Sequence, residues 1–176
     1  MNLPWRPLIF IALLSNAICG LAQPIKPGVL TAPPAPIQGL YRGDARTEIS
    51  EALAATTTSH KRVLLVFGAD WCYDCHVLEN AFRTDPDIRS LIESNYAVVH
   101  VDIGRNDKNL DLVQRYKMDI EKGVPALAVL DSSGKLLYSD HGGEFEAARH
   151  MQKRDLMAFL ARWRPRSGKP VALAAH

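Results

Sequence analysis

The segment Trp71-Cys72-Tyr73-Asp74-Cys75-His76 holds the most reactive side chains in the sequence. Two thiols separated by two residues at a helix start lie about one turn apart, close enough to join as a disulfide. The first thiol would face the unpaired N–H groups and the positive end of the helix, which favour the nucleophilic thiolate. The second would sit one turn further in and be shielded. This asymmetry predicts an attacking Cys72, at least partly exposed, and a resolving Cys75, mostly buried. Other chemistry fits the same spacing. Cys72-x-x-Cys75-His76 matches the attachment motif for c-type haem. A structural disulfide is another reading, although so short a loop restrains the unfolded chain little. Zinc would call for a second ligand pair, and none is suitably spaced.

The elements that must position these thiols alternate in type. Arg62 to Phe67 (RVLLVF) is a short apolar run that suits a strand buried on both faces. It leads directly into the cysteine motif, with a helix expected from about Cys72 to Arg83. Cytochromes c are mostly helical, so this strand weighs against haem. Met118, Met151 and Met157 also offer no evident axial ligand. Asp85-Pro86 is a cap followed by a first-turn proline, opening a helix through Ile92. Tyr96 to Ile103 (YAVVHVDI) is a second strand, and Asn109 to Tyr116 has helical spacing. Ala126 to Asp131 and Lys135 to Ser139 flank Ser132-Ser133-Gly134, the pattern of a β-hairpin. Upstream, Asp44 can cap a helix from Ala45 to Thr57; downstream, Lys153 to Trp163 is amphipathic. Parallel strands need helical crossovers, and the hairpin supplies an antiparallel edge. The expected fold is α/β, a central mixed sheet of about 4–5 strands with helices on both faces.

Composition narrows the class further. The chain has 176 residues, 47% hydrophobic and 23% charged, as in an ordinary globular protein. With 21 basic and 19 acidic residues the formal net charge is +2, which gives no electrostatic reason to expect nucleic acid. Arg6 precedes an apolar run from Leu8 to Leu14, too short to span a bilayer. Gly20 and Ala22 then supply the small residues of a signal-peptidase site, so residues 1–22 read as a signal peptide cleaved after Ala22, with an uncleaved anchor as the alternative. Cys19 would leave with it, and the bulky Ile18 before it argues against lipidation. Residues 23–43 carry Pro24, Pro27, Pro33, Pro34 and Pro36 and read as an extended tether with little to bury. The domain is expected over 44–165, and residues 166–176 as a loose tail.

The stretch VLLVFGADWCYDCHVLE resembles a thioredoxin-fold active site. More narrowly, Ala69-Asp70-Trp71-Cys72 with Glu79 resembles the C-terminal periplasmic domain of membrane thiol:disulfide interchange proteins, and the small exported thioredoxin-like proteins related to it. Gly123-Val124-Pro125 lies 53 residues beyond Cys72. The resemblance implies that Pro125 is cis and packs against the two sulfurs, and that Val124 offers backbone hydrogen bonds to an extended substrate. It covers about Lys61 to Trp163. Departures are visible too. Many thioredoxins carry a buried acid six residues before the first cysteine, where Val66 stands here. Glu79, one turn beyond Cys75, is the candidate substitute; a solvated surface role is the alternative. Asp70 and Asp74 should disfavour thiolate, which makes a reduced pair a better electron donor; a protonated His76 would oppose them. His141 stands in a loop before the last helix and reads as solvent-exposed.

These readings point to an exported, periplasmic thiol-disulfide oxidoreductase, a reductase or interchange protein rather than an oxidase. Cys72 and Cys75 would react, supported by Trp71, Asp70 and Glu79. The two thiols hold the electrons, so neither cofactor nor metal is required. Its partners would be disulfide-containing exported proteins and a membrane interchange protein that recharges it. Few mature residues precede the first strand, so a monomer is expected. The rivals are a c-type haem electron carrier and a non-catalytic thioredoxin-like binding module.

Overall fold

The strand RVLLVF becomes β1 (Arg62–Gly68), and its apolar residues are buried because both faces of the sheet are covered. The computed structural model describes residues 28–33 and 35–166; the expected signal peptide and most of the expected tail lie outside them. Beside β1 run β2 (Tyr96–Asp102), parallel to it, and β3 (Ala126–Leu130), antiparallel. The edge strand β4 (Leu136–Ser139) pairs antiparallel with β3, so the order is β2-β1-β3-β4. The hairpin between β3 and β4 closes as expected. Asp131 Oδ1 accepts from the backbone N–H of Ser133 and Lys135, and Gly134 takes a positive φ of 82°.

Among the described residues, five α-helices cover the sheet. α1 (Ala45–Ser59) starts where Asp44 accepts from the Thr47 N–H at 2.8 Å. α2 (Tyr73–Thr84) follows β1 and is capped by Cys72. α3 (Pro86–Asn95) begins at the Asp85 cap with proline in its first turn, and runs one turn past the expected Ile92. α4 (Leu110–Arg115) is shorter than expected, because Asn109 before it is left-handed. α5 (Lys153–Trp163) has its expected bounds. Leu64 and Val66 of β1 pack with Leu78, Ile88 and Leu156 on the face of α2, α3 and α5. Val63, Leu65 and Phe67 pack with Ile49 and Leu112 on the face of α1 and α4. β1 is therefore fixed from both sides, and so is the loop at its C-terminal end.

The proline-rich segment differs from the tether expected over 23–43. In its described part, Val29 bridges to Gln152 and the Leu30 N–H donates to Met151 O at 3.0 Å. Leu30, Leu40 and Tyr41 are buried. The physical reason is that an extended chain leaves backbone donors and side chains free to pair, and Leu30, Ile37 and Tyr41 find partners in the folded domain. Its last residues, Ile37 to Tyr41, cross directly over the end of β1.

Candidate active site

Cys72 and Cys75 are joined as a disulfide with Cα atoms 5.3 Å apart. Cys72 is the N-cap of α2 and its Sγ accepts from the Cys75 N–H at 3.1 Å. The sulfur of the first cysteine thus occupies the place where a helix start offers unpaired donors. Val124 O faces Cys72 Sγ at 3.4 Å; a disulfide sulfur carries no hydrogen, so in this state the two are in contact only. The Val124–Pro125 bond is cis, as the resemblance implied. Pro125 leads into β3 where it interrupts no ladder.

One expectation needs correction. Cys72 was expected at least partly exposed, yet it is only 4% exposed and Cys75 only 1%. The reason is the N-terminal segment: Leu40, Tyr41 and Val124 form an apolar cluster with both cysteines. Backbone contacts hold that segment down. The Ile37 N–H donates to His76 Nδ1 at 3.3 Å, and the Tyr41 N–H donates to Asp70 Oδ1 at 3.2 Å.

The same bonds decide the role of His76. Its Nε2 lies 2.8 Å from Asp70 O, and a carbonyl can only accept. With Nδ1 accepting from Ile37, the hydrogen-bond network assigns the hydrogen to Nε2. Both ring nitrogens of this buried histidine are engaged, so neither is left for a haem iron. Trp71 and Tyr73, in contrast, stand exposed on either side of Cys72. The Trp71 indole N–H donates to Gly104 O at 2.7 Å, which fixes the ring at the rim of the site.

Asp74 is buried and belongs to a pair that no local pattern announces. It accepts from the Arg149 backbone N–H at 2.8 Å and from the Arg149 guanidinium through Nε and Nη2. Arg149 lies at the rim and stacks its guanidinium 5.0 Å from the Tyr73 ring centre. The carboxylate expected to oppose a thiolate at the helix start is therefore balanced by a cation.

Glu79 is not the solvated residue of the alternative reading. It is buried, with Oε1 accepting from Arg83 Nε at 2.5 Å and Oε2 2.9 Å from His100 Nε2. Burial opposes its ionisation, but His100 and Arg83 outweigh that and hold its carboxyl below the ordinary value. His100, on β2, also packs edge-on against the Tyr41 ring, with centroids 5.4 Å apart. His141 is exposed, and Val66 is buried in the core. Tyr41, His100 and Arg149 carry no sequence signal of a site. Tyr41 meets the cysteines from the proline-rich segment, His100 meets Glu79 and Tyr41 from the sheet, and Arg149 meets Asp74 and Tyr73 from a short 3-10 turn.

Among solved structures, the chain is similar to a disulphide isomerase from Xylella fastidiosa Temecula1, 39% identical, with a TM-score of 0.64 over 76% of this chain and 98% of that one. Among curated proteins, it is 26% identical over 161 residues to thiol:disulfide interchange protein DsbD 2 of Pseudomonas aeruginosa, which is 91% of this chain and 23% of that protein. It is 29% identical over 131 residues to the DsbD protein of Ralstonia nicotianae, 73% of this chain and 19% of that protein. The chain thus spans about a quarter or less of the length of these curated relatives. The family match, described as thioredoxin-like, covers residues 44–132, from the cap of α1 through the disulfide and the cis-proline to the hairpin turn. With that match running through half of its length, the chain belongs to the thioredoxin-like family.

Proposed function

We propose that this chain is an exported thiol-disulfide oxidoreductase that reduces or interchanges protein disulfides. The observation that carries the reading is the Cys72–Cys75 disulfide at the cap of α2, opposite the Val124 carbonyl. In the reduced protein, the Cys72 thiolate attacks one sulfur of a substrate disulfide. A mixed disulfide forms and the other substrate sulfur leaves as thiolate. Cys75, as thiolate, then attacks Cys72 Sγ, releases the second substrate sulfur and closes the disulfide seen here. Two electrons pass to the substrate, and an external dithiol must return them. The relatives named as thiol:disulfide interchange proteins support exchange with disulfides; exported disulfide proteins are the proposed substrates and a membrane interchange protein the proposed donor. The apolar run Leu8 to Leu14, followed by Gly20 and Ala22, supports export to the periplasm. The reducing direction is supported by the surroundings of the sulfurs. Leu40, Tyr41 and Val124 pack on the two cysteines and bury them. Burial disfavours a thiolate and so favours the oxidised pair.

Trapping tests the reading. With Cys75→Ser, Cys72 still attacks but nothing resolves the product. Mixed disulfides with exported proteins should accumulate, collapse on reduction and be few with Cys72→Ser. A folded, exported Cys75→Ser protein that captures nothing would falsify the exchange reaction.

A further inference from the structure

Opening the Cys72–Cys75 disulfide puts a negative charge on Cys75. An incoming thiolate bonds to Cys72 Sγ, the bond to Cys75 breaks, and its electron pair leaves on Cys75 Sγ. In a water-excluded site that charge needs a donor. Val66 holds no proton, and both Glu79 oxygens are committed to Arg83 and His100. Glu79 is also held ionised below its ordinary value, so it has no proton to give.

One group remains. The Tyr41 hydroxyl is buried and has no hydrogen-bond partner among the described residues. It lies beside the resolving sulfur without bonding to it in the oxidised state: a Cβ built on Gly68 would fall within 3.0 Å of both Tyr41 Oη and Cys75 Sγ. The phenol oxygen and the sulfur therefore flank the same side of Gly68, a position that admits no side chain. The groups facing them are Asp70 in the loop before α2, Glu79 on α2, and His100 and Asp102 on β2. Burial, with those three carboxylates, pushes the Tyr41 phenol well above its ordinary value. It keeps its proton at every working pH and acts as a donor, never as a base.

We propose that Tyr41 is a positioning residue whose hydroxyl donates a hydrogen bond to the Cys75 thiolate when the disulfide opens. The inference rests on the exchange reading, and it assigns part of the site to the segment before the family-matched region. By microscopic reversibility the same bond holds Cys75 in place when it attacks Cys72 to resolve a mixed disulfide. No proton needs to transfer; the bond strengthens as charge develops on sulfur.

Tyr41→Phe keeps the ring against His100 and removes only the hydroxyl. A hydrogen bond to a charged group corresponds to about tenfold or more in an equilibrium or rate. The second-order rate of opening the disulfide with dithiothreitol should therefore fall about tenfold. In a Cys72→Ser background, the ultraviolet thiolate titration of Cys75 should move up by about one pH unit on adding Tyr41→Phe. A purely structural role would lower the melting temperature and leave that titration in place. Unchanged opening rates and an unmoved titration would overturn the proposal; so would a shift produced by Glu79→Gln and not by Tyr41→Phe. Because the probe is a small thiol, the result stands apart from partner capture. A pair that opens in dithiothreitol yet traps no protein would refute the exchange reading and leave the role of Tyr41 intact.

Discussion

Leu40→Ala should speed attack on the disulfide while making the protein less stable. Cys72 is 4% exposed, so no bulky thiol reaches it until the chain from Ile37 to Leu40 moves aside. Leu40, 9% exposed, is the aliphatic side chain that the segment contributes to the cluster around the two cysteines. Truncation removes three carbons, and at about 0.8 kcal/mol per buried methylene the closed state loses about 2 kcal/mol. If local opening equilibrates before attack, the open population rises by roughly 30-fold, since each 1.4 kcal/mol is tenfold. The assay is reduction by glutathione, quenched with an alkylating mass tag and counted by mass spectrometry. Leu30→Ala is the matched control. Leu30 belongs to the same segment and is equally buried, but it packs in the cluster of α2, α3 and α5 rather than over the sulfurs. It should cost comparable stability and leave the reduction rate alone. Equal rates for wild type and Leu40→Ala would refute the idea that this segment screens the sulfurs. An equal acceleration by Leu30→Ala would refute it as well, because the effect would then follow general loosening.

Three further outcomes follow from the same geometry. Gly68→Ala should displace Tyr41 or the disulfide, because the added methyl meets Tyr41 Oη and Cys75 Sγ within 3.0 Å; expect a lower melting temperature and an altered rate of opening in dithiothreitol. Arg149→Ala leaves the buried Asp74 carboxylate uncompensated beside the helix start, so alkylation of reduced Cys72 should shift to higher pH, and adding Asp74→Asn should reverse the shift. Glu79 has a carboxyl lowered from 4.5, so its pairing contributes stability above that pH, lost as pH falls through the folded value. Thermal melts over that acid range should show the loss in wild type and a flatter profile in Glu79→Gln.

Residues that act through local pattern were legible in the sequence. RVLLVF reads as a buried strand because consecutive apolar residues leave no solvent face, and β1 is covered on both sides. Asp85-Pro86 and Asp44 mark helix starts because their side chains satisfy the first backbone donors, and both do so here. The spacing of the cysteines likewise announces their bond. What stayed hidden depends on contacts distant in sequence. Asp74 and Arg149 are 75 residues apart, and Glu79 and His100 are 21 apart. No periodicity encodes either pair. Prolines made the N-terminal segment look unattached, because composition reports what a chain can bury alone and says nothing of a distant surface it packs on. Leu40 and Tyr41 pack on both cysteines, and this reverses the expected exposure of Cys72.

The charges around the cysteines show why spacing alone misjudges a redox pair. Along the sequence, Asp70 and Asp74 bracket Cys72 with two negative charges and both should disfavour its thiolate. In the fold they part company. Asp74 turns inward and meets Arg149, so its charge is neutralised within hydrogen-bond distance. Asp70 spends an oxygen on the Tyr41 N–H and so helps hold the segment that buries the sulfurs. Asp70 thereby acts on the thiolate through desolvation as well as through its charge. A thiolate at Cys72 gains from the helix start and loses from burial, and the segment from Ile37 to Leu40 controls the second of these. Moving that segment aside would expose Cys72 to substrate and lower the cost of its charge in the same step, so access and nucleophilicity rise together.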